Sequence, residues 1–134
     1  MKVYVACRYE RRAEAVDLAI YLKSQGHEVT SSWLFSLSKV EGENSFIQMR
    51  PNQMSRYAKR DLVDIKKCDA IVCLTEKVDS RHGRGGRHVE AGFAMALGKK
   101  VYIIGFKENV FYCMPEVKQF VNSDEFKVFL GKLK

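Results

Sequence analysis

Hydrophobic positions follow two different periods along the chain. Short runs such as KVYVA at residues 2–6 and AIVCL at residues 70–74 have the length and composition of buried strands. Between these runs, apolar residues recur every three or four positions, as in amphipathic helices. The pattern predicts strands at residues 2–6, 27–30, 70–74 and 101–105, a short extended segment at 117–121, and helices at 11–24, 55–67, 88–97 and after a cap at Ser123.

Strands and helices alternate, and no β-hairpin signal interrupts them. This order predicts an α/β fold in one domain spanning residues 1–134: an open parallel sheet of about five strands with helices on both faces, flavodoxin- or Rossmann-like. Sheets of this kind bind ligands at the carboxyl ends of their strands. The loops of interest therefore follow strands, at residues 7–9, 33–53, 77–87 and 106–114.

Composition and charge limit the kinds of molecule that this protein is expected to bind. The 134 residues carry a net charge of +7, which favours nucleic acid, an acidic membrane surface or a phosphorylated small molecule. Residues 77–107 hold seven basic and two acidic residues, so most of the excess lies in one stretch. There is no nucleic-acid-binding signature, no signal-peptide pattern and no apolar run of ~20 residues. We expect a cytoplasmic protein with reduced cysteines, no membrane partner and a small anionic ligand.

Asp61 is the first candidate for chemistry. At ~100° per residue it lies inside the apolar stripe of the helix predicted at 55–67. That stripe consists of Met54, Ala58, Leu62 and Ile65. A carboxylate on this face is costly unless it is paired or lies in a cleft. Asp61 is therefore either a site residue or the partner of Arg56 or Lys59 at the helix margin.

A glycine- and arginine-rich loop, Gly83-Arg84-Gly85-Gly86-Arg87, leads directly into the third predicted helix. Glycines allow backbone N–H groups to approach an anion, and the helix N-terminus adds a partial positive charge. The arginines can add bidentate contacts to phosphate. The pattern predicts a phosphate site; the alternative is a flexible, solvated basic loop.

Glu90 follows that loop in the first turn of the same helix. The helix N-terminus favours the ionised carboxylate, which suits a nucleophile. The alternative is an ordinary N-terminal glutamate. The buried stripe of this helix is predicted to consist of Val89, Phe93, Ala96 and Leu97, with Glu90 on its flank.

Taken together, these blocks resemble the nucleoside 2-deoxyribosyltransferase family, including its relatives that hydrolyse deoxynucleoside 5′-monophosphates. The resemblance covers nearly the whole chain: the opening strand KVYVA, the segment from Asp61 to Val72, and above all the block GRHVEAGFAMALGK at residues 86–99. It implies cleavage of an N-glycosidic bond through a glycosyl-enzyme ester, without a metal or cofactor.

The resemblance also implies residue roles. Glu90 matches the nucleophile, and Asp61 matches the carboxylate that positions the sugar and handles protons at the nucleobase. The loop from Gly83 to Arg87 matches the segment near the 5′ end of the sugar. Tyr9 is a candidate substrate contact, and Asn109 or Tyr112 would complete a neighbouring subunit's site in a homodimer or larger homo-oligomer.

The substrate subclass and the outcome of the reaction stay open. Arg84 stands where the nucleoside transferases of this family have an acidic residue, and Cys7-Arg8-Tyr9 replaces the Gly-Ser-Ile-Arg-Gly motif of the hydrolases. Arg84 and Arg87 favour a 5′-phosphate. The sugar could pass from the enzyme to another base or to water. The alternative function is a non-catalytic nucleotide-binding module that uses the same loop.

Overall fold

The computed structural model describes residues 1–35, 50–81 and 85–133. Within these ranges the chain has five strands and four α-helices, and an α-helix follows every strand except the fourth, which a 3₁₀ turn connects to the fifth. The strands are β1 (Lys2–Ala6), β2 (Glu28–Val29), β3 (Ala70–Leu74), β4 (Lys100–Ile104) and β5 (Val117–Phe120). The helices are α1 (Arg12–Ser24), α2 (Pro51–Lys67), α3 (Gly86–Ala96) and α4 (Ser123–Lys132).

The five strands form one parallel sheet in the order β2-β1-β3-β4-β5. This order confirms the predicted open α/β sheet and is that of flavodoxin-like folds. The chain reverses its direction of winding between β1 and β3, where Tyr4 lies opposite Ile71. At this switch point, loops leave neighbouring strands in opposite directions and open a crevice beyond their carboxyl ends.

Strand residues alternate between the two faces of the sheet. Val3 and Val5 pack with α1 and α4, in a core that includes four aromatic rings at its β4–β5 end. Tyr4 and Ala6 point to the opposite face, where they meet α2 and α3. Because β1 and β3 are covered on both sides, their sequences are almost continuously apolar.

Several predicted element boundaries differ from the structure by one to four residues, and two of these differences have a clear physical cause. The helix predicted from residue 55 begins at Pro51, because proline at the first helical position needs no hydrogen-bond partner for its nitrogen. The cap of α4 is Asn122, not Ser123, since the Asn122 side chain accepts the N–H of Glu125 at 2.9 Å. The loop predicted at 33–53 lies partly outside the described residues.

The four cysteines are free thiols; three are buried and Cys113 is exposed. Among the described residues, no helix is both long enough and apolar enough to span a membrane.

Candidate active site

Glu90 points into the protein from the second turn of α3 and meets the hydroxyl of Tyr4. Tyr4 lies on β1 and is completely buried, and its Oη donates a hydrogen bond to Glu90 Oε2. Burial and the neighbouring carboxylates raise the pKa of the Tyr4 hydroxyl far above its ordinary value, so Tyr4 remains a proton donor. This hydrogen bond links strand β1 directly to Glu90 on α3.

The surroundings of Glu90 raise its pKa to about 7. The principal cause is burial, which disfavours the charged form, and the negative charge of Asp61 adds to it. The hydrogen bond from Tyr4 and the charges of Arg87 and Arg60 act in the opposite direction. Glu90 therefore changes protonation near neutral pH, the range in which a carboxyl group can take part in acid, base or nucleophilic chemistry.

Asp61 reaches the same place from α2. Its carboxylate is partly buried, and burial raises its pKa although Arg60 acts against this. Arg60 Nε and Nη2 lie 3.3 and 3.2 Å from Asp61 Oδ1. The partner is therefore Arg60, and neither Arg56 nor Lys59, which the sequence suggested as alternatives. The structure brings Asp61 and Glu90 within electrostatic reach of each other and of Tyr4.

Arg87, predicted to bind phosphate, forms an ion pair inside the chain. Its Nη1 contacts Glu108 Oε1, and both side chains are only 9% exposed. The same nitrogen donates to the Tyr112 hydroxyl at 3.0 Å. The basic stretch at residues 77–107 ends one position before Glu108, the carboxylate that neutralises Arg87. A role for Arg87 in substrate binding remains a prediction.

The described part of the glycine-rich loop ends in a turn that glycine favours. Gly85 has φ +86°, a left-handed conformation, and its carbonyl accepts the N–H groups of His88 and Val89. Among the described residues no side chain caps α3, so no described side-chain acceptor occupies the first N–H groups of the helix. Gly86 begins the helix, and space for a side chain is open at both glycines. Gly83 and Arg84 lie outside the described residues.

Among the described residues, Tyr9 and Asn109, both predicted to contact the substrate, form no hydrogen bond with Glu90 or Asp61. Tyr9 lies in a 3₁₀ turn after β1. Asn109 caps the 3₁₀ turn at Val110–Cys113 by accepting the N–H of Phe111, and its amide nitrogen contacts His88 Nδ1 at 3.2 Å. Roles for Tyr9 and Asn109 in substrate binding remain predictions.

The buried stripe predicted for α3 was wrong except at Phe93, which packs against the core. Val89 is 66% exposed and Leu97 is 44% exposed, whereas Ala91 and Ala94 face the sheet. Apolar residues occupy every side of this helix, so periodicity alone could not select its inner face. Small residues let the helix approach the strands closely, and this turns Glu90 toward Tyr4.

Sequence reasoning missed Tyr4 and Arg60. The signal for Tyr4 was present: a tyrosine in a strand covered on both faces buries a hydroxyl that needs a partner. Arg60 gave no such signal, since an arginine beside an aspartate on a helix is ordinary. Among the described residues, no group of three or more histidine, cysteine or acidic side chains is placed to hold a metal ion.

Comparison with solved structures identifies a close match in architecture. The chain is similar to the structure of Clostridium botulinum CMP N-glycosidase, BcmB, with a TM-score of 0.60 and 21% identity. The match covers 98% of this chain and 98% of that chain. The two chains share one fold. No model of a known protein family matches the sequence, and no curated protein sequence does either.

Proposed function

We propose that this protein is a nucleotide N-glycosidase, which cleaves the bond between the base and the sugar of a nucleoside 5′-monophosphate. The observation that carries the proposal is the convergence of Glu90, Asp61 and Tyr4 at the switch point of the sheet. The sequence resemblance implies the same class of bond, and the structural neighbour is a CMP N-glycosidase.

In the first step, ionised Glu90 attacks the anomeric carbon C1′ while the bond from C1′ to the base nitrogen breaks. Positive charge develops on the sugar, and a nearby carboxylate stabilises it before forming the ester. The departing base takes the electron pair of the broken bond and receives a proton from Asp61. Burial raises the pKa of Asp61, which is the direction that donating a proton to the base needs.

In the second step, water attacks C1′ of the ester and releases the sugar phosphate. The water loses a proton to Asp61, which was ionised in the first step, and Glu90 leaves as a carboxylate. Tyr4 donates to Glu90 and orients it, and this bond also favours the ionised form. Transfer to a second base would need that base to reach C1′ before water does.

A 5′-phosphate is the substrate feature that the start of α3 fits best. The left-handed turn at Gly85 and the uncapped first turn of α3 present backbone N–H groups three to five residues before Glu90. Arg84 is expected to add a positive charge there. Glu108 already pairs with Arg87, so the phosphate contact that the sequence predicts for Arg87 would share the guanidinium with that carboxylate.

A homodimer or larger homo-oligomer is part of the proposal. Val89, Val110 and Phe111 are more than 60% exposed, on α3 and on the turn after β4. A second copy could cover them. Light scattering of the purified protein at several concentrations measures the mass, and a monomer at every concentration would reject this part.

Product analysis tests the enzymatic proposal. The protein is incubated with CMP, other nucleoside and deoxynucleoside 5′-monophosphates and the corresponding nucleosides, with and without an acceptor base, and products are separated by chromatography. We expect free base and sugar phosphate from a monophosphate, and no product with Glu90→Ala. An exchanged base would indicate transfer instead. Binding of a monophosphate without turnover would support a non-catalytic module.

A further inference from the structure

Arg60 is a charged residue at the site to which the proposed reaction gives no role. It lies on α2 next to Asp61, with two guanidinium nitrogens 3.2 to 3.3 Å from one carboxylate oxygen, Oδ1. The guanidinium carbon lies 5.0 Å from the centre of the Tyr57 ring, one turn earlier. Stacking on an aromatic face restricts where the guanidinium can go, so its position is defined on two sides.

The charge of Arg60 also reaches Glu90, whose pKa it lowers. Asp61 therefore touches Arg60 directly, and Glu90 interacts with it at longer range. Among the described residues, Asp61 Oδ2 carries no hydrogen bond, so the oxygen opposite the Arg60 contact is open to a substrate. Arg60 thus holds one oxygen of the acid and leaves the other available.

Other groups also face Glu90. Tyr4 on β1 is a neutral donor, and burial raises the pKa of Cys7 and Cys73 to about 12, so both thiols are neutral. Arg87 on α3 lowers the pKa of Glu90 more than Arg60 does, and it is ion-paired with Glu108, whereas Arg60 contacts Asp61. Asp64 on α2 adds negative charge near Asp61 and Tyr4.

We propose that Arg60 is a positioning residue of this site: it orients Asp61 and supplies positive charge that helps Glu90 to ionise beside a second carboxyl group. Without Arg60, Glu90 would keep its proton to higher pH. Arg60 acts through Asp61 and Glu90 and need not touch the substrate. The effect of Arg60 on the two carboxyl groups does not depend on catalysis, whereas its effect on turnover rests on the proposed function.

The test is a pH titration of protein labelled with ¹³C at glutamate side-chain carboxyls, followed by NMR without substrate. The Glu90 signal is assigned by its loss in Glu90→Gln. In Arg60→Gln we expect the ionisation of Glu90 to move up by about half a pH unit relative to the unsubstituted protein. Arg60→Lys keeps the charge but not the planar fork, and it should fall between the two.

Arg56→Gln is the matched control, because Arg56 is an exposed arginine one turn earlier on the same helix. It should leave the Glu90 titration unchanged. Titrations of Arg60→Gln and the unsubstituted protein that agree within ~0.2 pH units would overturn the proposal, as would an equal shift in Arg56→Gln. Circular dichroism confirms that each variant is folded.

A kinetic measurement separates this inference from the proposed function. If a nucleotide is turned over, the rising limb of its kcat profile against pH should move up in Arg60→Gln and be restored in part by Arg60→Lys. If the unsubstituted protein turns over nothing, the proposed function fails while the NMR titration still decides the role of Arg60.

Discussion

Two groups of charged side chains lie at the carboxyl edge of the sheet, and they are organised in opposite ways. In the carboxylate pair, Glu90 and Asp61, negative charge exceeds the adjacent positive charge, and burial raises both pKa values. In the ion-pair network, carboxylates are matched by cations. Its members are Arg8, Arg11, Glu76, Arg87 and Glu108.

The network joins loops that follow three different strands. Glu76, after β3, pairs with Arg8 at 2.5 Å and Arg11 at 2.6 Å, both from the segment after β1. Its backbone N–H donates to Glu108, after β4, at 3.3 Å. Glu108 in turn holds Arg87 at the start of α3. Removing one partner from a buried ion pair of the network would leave an uncompensated charge, whereas burial raises the pKa values of Glu90 and Asp61 and so retains groups that can react.

The largest expected effect follows from changing Glu90 to glutamine, which removes the nucleophile while keeping its shape and an acceptor for Tyr4. Turnover of the preferred nucleotide should fall by at least about 10³-fold, with the fold intact. Initial rates with the variant at saturating substrate measure this. Activity within tenfold of the unsubstituted protein would remove Glu90 from the reaction.

The network should show its importance in stability. Glu108→Ala leaves the Arg87 guanidinium buried without its carboxylate, so we expect a loss of about 3 kcal/mol in the free energy of unfolding. Urea unfolding followed by circular dichroism gives the value. Glu116→Ala, at an exposed position, is the control and should change it by less than ~0.5 kcal/mol. If Glu108→Ala and Glu116→Ala changed the free energy of unfolding equally, the ion-pair network would have no special role in stability.

Tyr4→Phe probes the contact that connects the pair to the sheet. Without the donated hydrogen bond, Glu90 is less well oriented and its pKa rises, so kcat at neutral pH should fall by about 10- to 100-fold. The rising limb of the pH profile should move to higher pH. Tyr102→Phe is the control, because Tyr102 faces the other side of the sheet. A loss of similar size there would indicate a general packing effect.

The smallest expected effect is a gain in stability. The folded pKa of Glu90, about 7, lies above its ordinary value of 4.5, so folding binds a proton more tightly in this interval. Stability is therefore lost as pH rises from 4.5 to 7. Glu90→Gln lacks this penalty and should be more stable by about 1 to 2 kcal/mol at pH 8. Thermal or urea unfolding at pH 8 and at about pH 4 measures it, and the gain should nearly vanish at the lower pH, below the unfolded pKa.

The strand pattern was sufficient to predict the sheet. Runs such as AIVCL at β3 can be buried on both faces only in a sheet covered by helices, and the helices between them impose parallel connections. Because these signals are local and repeated, errors at Pro51 and Asn122 changed an element boundary without changing the topology.

The site was only partly predictable from sequence. Asp61 stood out because a carboxylate interrupted an apolar stripe, and Glu90 because it followed a glycine-rich loop. Neither signal indicates which residue the carboxylate contacts. Tyr4 is 86 positions from Glu90, and only the packing of α3 against β1 joins them.

The sequence by itself determined the fold class and the two candidate carboxylates, since both depend on local composition and period. Tertiary structure decided which charges meet. Net charge suggested that Arg87 was available to an anion, yet Glu108 approaches it from the loop after β4. Arg60, unremarkable in the sequence, instead lies at the carboxylate pair. The physical reason is that electrostatic energy depends on distance and burial, which long-range packing sets and sequence spacing does not.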